Sequence, residues 1–136
     1  MFKFFESSEK KLIKSHLRHL VRLAMSDGHV SKEEADFIRQ IAKKNDVSAS
    51  ELKDIMANPT SVDIVIPKSN DERFDQIFDL VNLMMKDGEV LDAEMEFCAE
   101  LANRLGFRQV IVGVLVGKIE RGIKEGLSRK EIKKEA

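Results

Sequence analysis

Apolar residues recur along most of the chain at spacings of three and four, the period of a helix packed on one side. Between about 9 and 26 this spacing selects Leu12, Ile13, Leu17, Leu20 and Ala24 as a buried stripe. A second helix, about 32–45, buries Ala35, Ile38, Ile41 and Ala42. A third, about 49–57, closes at Asn58-Pro59, because proline pushes the residue before it out of the helical region. An extended connector follows at about 58–69. The fourth helix, about 70–86, buries Phe74, Ile77, Phe78, Val81, Met84 and Met85, and the fifth, about 92–105, buries Met95, Cys98, Leu101, Ala102 and Leu105. The sixth spans about 108–125, and a short seventh runs from 129 and frays.

Local signals mark the ends. Ser-x-x-Glu occurs at Ser31/Glu34, Ser48/Glu51, Ser69/Glu72 and Ser128/Glu131. In such a box the serine oxygen accepts from the amide three residues on, and the glutamate reaches back to the serine amide. Gly28, Gly88, Gly106 and Gly126 each follow an apolar run, where a left-handed residue closes a helix. Two stretches are β-branched enough to be strands. Val62–Ile66 alternates in part but ends at Pro67 with no partner strand evident. Residues 110–116 are read as helix because Ile119 and Ile123 continue a spacing of four from Leu115. Being apolar all round, this sixth helix is expected at the centre of the protein.

The sequence also matches itself at a shift of 60 without a gap. Leu20, Val21, Leu23 and Met25 meet Leu80, Val81, Leu83 and Met85. Asp27, Gly28, Val30 and Glu34 meet Asp87, Gly88, Val90 and Glu94, and Phe37 and Ala42 meet Phe97 and Ala102. The fold expected is therefore all-α, about seven helices in one domain over 1–136, with two repeated helical hairpins related by pseudo-two-fold symmetry. Repeat one covers about 10–47, repeat two about 70–107, and the C-terminal helices about 108–136.

Composition narrows the function classes. The single cysteine, Cys98, cannot form an internal disulfide and sits in an apolar pattern, as a buried hydrophobe does. The longest apolar run, 110–116, is far short of the roughly 20 residues that span a bilayer, and 1–6 is too short for a signal peptide. The chain reads as cytoplasmic and not membrane-spanning. Its net charge of −1 hides blocks. Residues 1–22 carry six bases and two acids (+4), 71–100 two bases and ten acids (−8), and 101–136 nine bases and four acids (+5). The central block is either a solvated face or an acidic surface for a basic protein partner or a cation. Neither terminus is basic enough for nucleic acid, and no aromatic residues interleave with the charges.

The repeated Asp-Gly-x-Val-x-x-x-Glu turn is the motif nearest to chemistry. With Gly28 at position six of a calcium loop, Glu34 falls at twelve, but positions one and three are Leu23 and Met25 and cannot ligate. An EF-hand is excluded. On a structural account, the glycines end helices, Val30 and Val90 plug the turns, and Glu34 completes a box with Ser31. Glu94 lacks a hydroxyl partner at Leu91. On a functional account, the hairpins bring Asp27, Glu34, Asp87 and Glu94 together around a divalent cation, Ca²⁺ or Mg²⁺. His16 and His19, one turn apart on the first helix, form a weaker metal pair, with half-buried or surface placement the plainer expectation, and His29 adds no named third ligand. No nucleophile motif, phosphate loop or Cys-x-x-Cys is present, so no enzyme is expected.

Ala24–Glu34 resembles the Asp-Gly-x-Ile/Val-x-x-x-Glu segment of TerB-like domains, and Met84–Glu94 with Leu101–Phe107 resembles that domain's second half. The resemblance covers about 10–125. It implies an all-α fold of about seven helices, a link to tellurite resistance and stress responses, and membrane-associated complexes. It also implies acidic metal ligands, which fall here on Asp27, Glu34, Asp87 and Glu94. Ser26 and Lys86 stand where the family carries alanine before the aspartate, and Lys86 would itself neutralise Asp87 or Glu89. The function expected is a non-enzymatic interaction or stress-sensing module whose acidic 71–100 surface meets a protein partner. The alternatives are a metal-dependent activity on a small anion and a structural homodimer joined near Phe2, Phe4 and Phe5.

Overall fold

Four of the helix starts are capped by a serine hydroxyl, as the pattern predicts, and at three of them the glutamate three residues on returns the bond to the serine amide. The computed structural model describes residues 7–26, 28, 30–60, 65–87 and 92–135, without the side chains of 87, 109–111 and 135. Among these the helices are α1 (Ser8–Ala24), α2 (Lys32–Lys44), α3 (Ala49–Ala57), α4 (Asn70–Met84), α5 (Asp92–Arg104), α6 (Gln109–Lys124) and α7 (Arg129–Glu135). A single 3-10 turn, Met85–Asp87, follows α4. Ser31 and Glu34 form a full capping box, as do Ser48 and Glu51. Ser128 and Glu131 exchange the same two bonds at 3.0 and 3.1 Å. Ser69 accepts from the Glu72 amide, but Glu72 returns only to the Ser69 hydroxyl. Ser7, unforeseen in the pattern, caps α1 by accepting from the Lys10 amide.

The bounds of α2 and α5 lie 60 residues apart, as do the starts of α3 and α6. The exits match too. Met25 (φ −86°, ψ −3°) and Met85 (φ −82°, ψ −5°) close α1 and α4, each amide donating to the carbonyl four residues back. After α2 and α5 the chain turns through left-handed residues, Asp46 (φ +59°) and Gly106 (φ +104°). The next amides, of Val47 and Phe107, donate to Ala42 and Ala102 at 2.9 and 3.0 Å, a Schellman closure in both places. Asp46 was no part of the glycine pattern. Gly28 is left-handed at φ +100°, but it lies in the turn beyond the Met25 cap rather than directly ending α1, and Gly88 lies outside the described residues.

One hydrophobic cluster draws on all seven helices. Its centre is α1 and α4, which pack on each other, α1 also against α2, α3 and α5, and α4 against α5 and α6. Leu17, Leu20 and Leu23 of α1 and Ile77, Leu80, Val81, Leu83 and Met84 of α4 are sealed from solvent. The expectation that α6 is central does not hold. Its Val112, Val116 and Ile119 are buried, but Val114 is 60% exposed beside two glycines, so one side faces water. The 110–116 run is helix, as predicted. Of the 62–66 stretch, only Val65 and Ile66 are described, and they hold no regular structure. The helices of the two halves also interlock crosswise. The Arg22 guanidinium of α1 lies 5.3 Å from the Phe97 ring of α5, and the Lys86 ammonium after α4 lies 4.9 Å from the Phe37 ring of α2.

Candidate interaction surface and the carboxylate turns

Glu34 and Glu94 occupy the same place, the first turns of α2 and α5, and both are 1% exposed. Burying a carboxylate is costly unless hydrogen bonds offset its lost hydration. Glu34 Oε1 accepts from the Ser31 amide at 2.9 Å, and its own amide donates to the Ser31 hydroxyl. The sequence identified that box but not its depth. Val30 is half-buried against the core, as a plug would be. Asp27, His29, Gly88 and Val90 lie outside the described residues, as does the side chain of Asp87, which closes the 3-10 turn. Among the described residues, no group of three or more His, Cys, Asp or Glu could hold a metal ion. The Phe2, Phe4 and Phe5 surface also lies outside the described residues.

His16 and His19 are not surface residues: both are 3% exposed. They continue a helical stripe, Leu12, His16, His19, Leu23, which was the available signal for burial. His16 Nε2 lies 2.8 Å from Asp79 Oδ2 on α4, a pair 63 residues apart in sequence. Arg129 of α7 donates to the other Asp79 oxygen at 2.5 Å. Burial raises the affinity of the Asp79 carboxyl for a proton, but the His16 hydrogen bond and charge, with Arg129, outweigh it and hold its pKa below the ordinary value. Removing one member of such a buried pair costs about 3–5 kcal/mol, because the other charge is left buried. His19 has no such carboxylate. Burial first, then His16, Arg22, Arg104 and Arg18, lower its pKa from 6.5 to about 4. Cys98, fully buried, has its thiol pushed up to about 12 by burial alone.

The acidic block is largely engaged from within the chain. Arg129 reaches Asp75 at 3.7 Å as well as Asp79, and Lys133 reaches Asp71 at 3.5 Å and Asp75 at 3.4 Å. The same cations lie over aromatic rings of α4, Arg129 4.5 Å from Phe78 and Lys133 5.6 Å from Phe74. Ile132, between them, is 3% exposed and touches α6 at Gly122. The seventh helix is thus docked rather than frayed. Exposed pairs of this kind are worth about 0–1 kcal/mol each, but here several share one short helix. Among the described residues Asp92 and Glu96 of α5 and Glu72 of α4 face solvent without an ion pair, while Glu100 pairs with Arg104 at 3.2 Å. No helix of the described residues is long and apolar enough to cross a membrane.

A family model described as "Protein of unknown function (DUF533)" matches residues 5–119. No curated protein and no solved structure matches the chain.

Proposed function

Because the chain belongs to the DUF533 family, whose function is unknown, its activity must be argued from its surface, and we propose a non-enzymatic interaction module that recognises basic segments. The observation that carries this is α7 seated on α4. A basic helix from this same chain lies along Asp71, Asp75 and Asp79 with its cations over Phe74 and Phe78. The chain itself supplies an example of the ligand class that this face accepts. Asp92 and Glu96 of α5, in the same acidic block of the sequence, face solvent and are open to a further basic segment. Membership of the TerB-like superfamily, and a place in tellurite or stress responses, belong to the same proposal. They are supported by the doubled Asp-Gly turn and by helix bounds that recur 60 residues on.

The test is affinity capture on immobilised wild-type chain beside an Asp92→Lys/Glu96→Lys double variant. Both positions are exposed, so the variant keeps its fold. Basic partners that elute with salt and are lost from the variant support the proposal. The same partners retained at full strength on the variant would refute it. A divalent cation at Asp27, Glu34, Asp87 and Glu94 is a second proposal, favoured by the matched burial of Glu34 and Glu94. Calorimetry with millimolar Ca²⁺ or Mg²⁺ that gives neither heat nor a rise in Tm would remove it.

A further inference from the structure

A groove of about 710 Å³ lies between α2 and α3, on elements that carry none of the acidic block. Half-buried Met56 lies at its base above the nearly sealed core residues Ala42, Val47 and Leu52, and together these line its apolar floor. Arg39 and Lys43 of α2 and Lys53 of α3 stand exposed along its rim, with Asp46 as the one acid. Lys43 and Lys53 have no ion-pair partner among the described residues, and Arg39 is held only by Asp36 one turn away, at 2.8 Å. Such an exposed pair exchanges readily.

The sequence repeat separates what this hairpin needs for folding from what it does not. The core positions Ala42, Val47 and Leu52 correspond to Ala102, Phe107 and Val112, apolar in both halves. The rim positions Arg39, Lys43 and Lys53 correspond to Ala99, Asn103 and Gly113, with no cation. The second hairpin folds without these charges, so the packing shared by the two halves does not require them.

We infer that the α2–α3 groove docks an acidic amphipathic helix from a partner protein, its apolar side on the floor and its carboxylates against Arg39, Lys43 and Lys53. Charge complementarity selects the occupant. The nine residues of α3 run about 14 Å, which matches two to three turns of a docked helix, with anchors at i, i+3 or i+4 and i+7. A second copy of this chain does not offer that face. Its acidic helix α5 already buries its apolar side, Cys98, Leu101 and Ala102, in its own core. With the acidic face proposed above, the domain becomes a two-sided adaptor, and either side can fail experimentally without the other.

The experiment is an NMR titration of the full ¹⁵N-labelled chain with a synthetic amidated peptide of about 12 residues, Leu at helical anchor positions and Glu and Ala elsewhere. Amide shifts confined to residues 39–56, and affinity lowered at least about tenfold by Lys43→Glu/Lys53→Glu, are the expected result. Lys43→Gln/Lys53→Gln, with an intermediate loss, separates charge from any change in fold. Any of four results overturns the inference: no shift at about millimolar peptide, shifts centred on α4 and α5, equal binding of the same peptide with Lys for Glu, or sodium decanoate shifting 39–56 where the peptide does not.

Discussion

Lowering the pH from 7 to 4.5 probes the burial of His19. The ring is 3% exposed, and burial, with lesser electrostatic contributions from His16, Arg22, Arg104 and Arg18, lowers its pKa from 6.5 to about 4. Between those values the unfolded chain binds a proton that the folded chain refuses, so stability falls as pH falls. The loss begins near 6.5 and is complete near 4. At pH 4.5 the unfolded state has gained two pH units of protonation, about 2.7 kcal/mol, and partial protonation of the folded ring returns a few tenths. His19 alone therefore destabilises the chain by about 2.5 kcal/mol on this change. Urea denaturation of wild type and His19→Gln at both pH values measures it. The other titrating groups are common to both proteins, so the difference of differences isolates His19. A value under about 1 kcal/mol, or a His19 ring that titrates near 6.5 by NMR, would refute the reasoning.

Three further outcomes follow from the geometry. A Cβ at Gly122 would meet Ile132 Cγ1 at 2.5 Å, so Gly122→Ala pushes α7 outward, costs about 1–3 kcal/mol by thermal melting and raises hydrogen exchange over 129–135. Asp46 holds a left-handed conformation at φ +59°, so Asp46→Gly adds up to about 1 kcal/mol, whereas Gly106→Ala at φ +104° removes about 1–2, each read as a shift in urea midpoint. Cys98, fully buried with its thiol pushed up to about 12, stays unlabelled by iodoacetamide in native buffer at mildly alkaline pH and reacts promptly once denaturant is added, as mass spectrometry would show.

Features written in neighbouring residues were legible in the sequence. A capping box spans four positions, so Ser31, Ser48, Ser69 and Ser128 marked helix starts without any tertiary knowledge. The helical reading of 110–116 held because Leu115, Ile119 and Ile123 keep the period. Depth was less legible, because it depends on what the rest of the chain places opposite. Residues 110–116 gave the strongest hydrophobic signal, yet Val114 faces water, and the less uniform α1 and α4 hold the centre. Pairs distant in sequence left no trace at all. Nothing in the order of residues ties His16 to Asp79, and the charge blocks of 71–100 and 101–136 do not reveal that Arg129 and Lys133 neutralise Asp71, Asp75 and Asp79. The surface read as open to a partner is in part already occupied.

Arg22 over Phe97 and Lys86 over Phe37 make each half the lid of the other. Neither half is a freestanding unit: alone, each would bare a ring and the flank of its own long central helix to water. A chain nicked within 58–69 would stay whole, its two fragments holding together without a covalent tie, while either fragment made separately would collapse or seek a substitute mate. The linker between the halves sets how fast they meet; what keeps them together is what each lends the other.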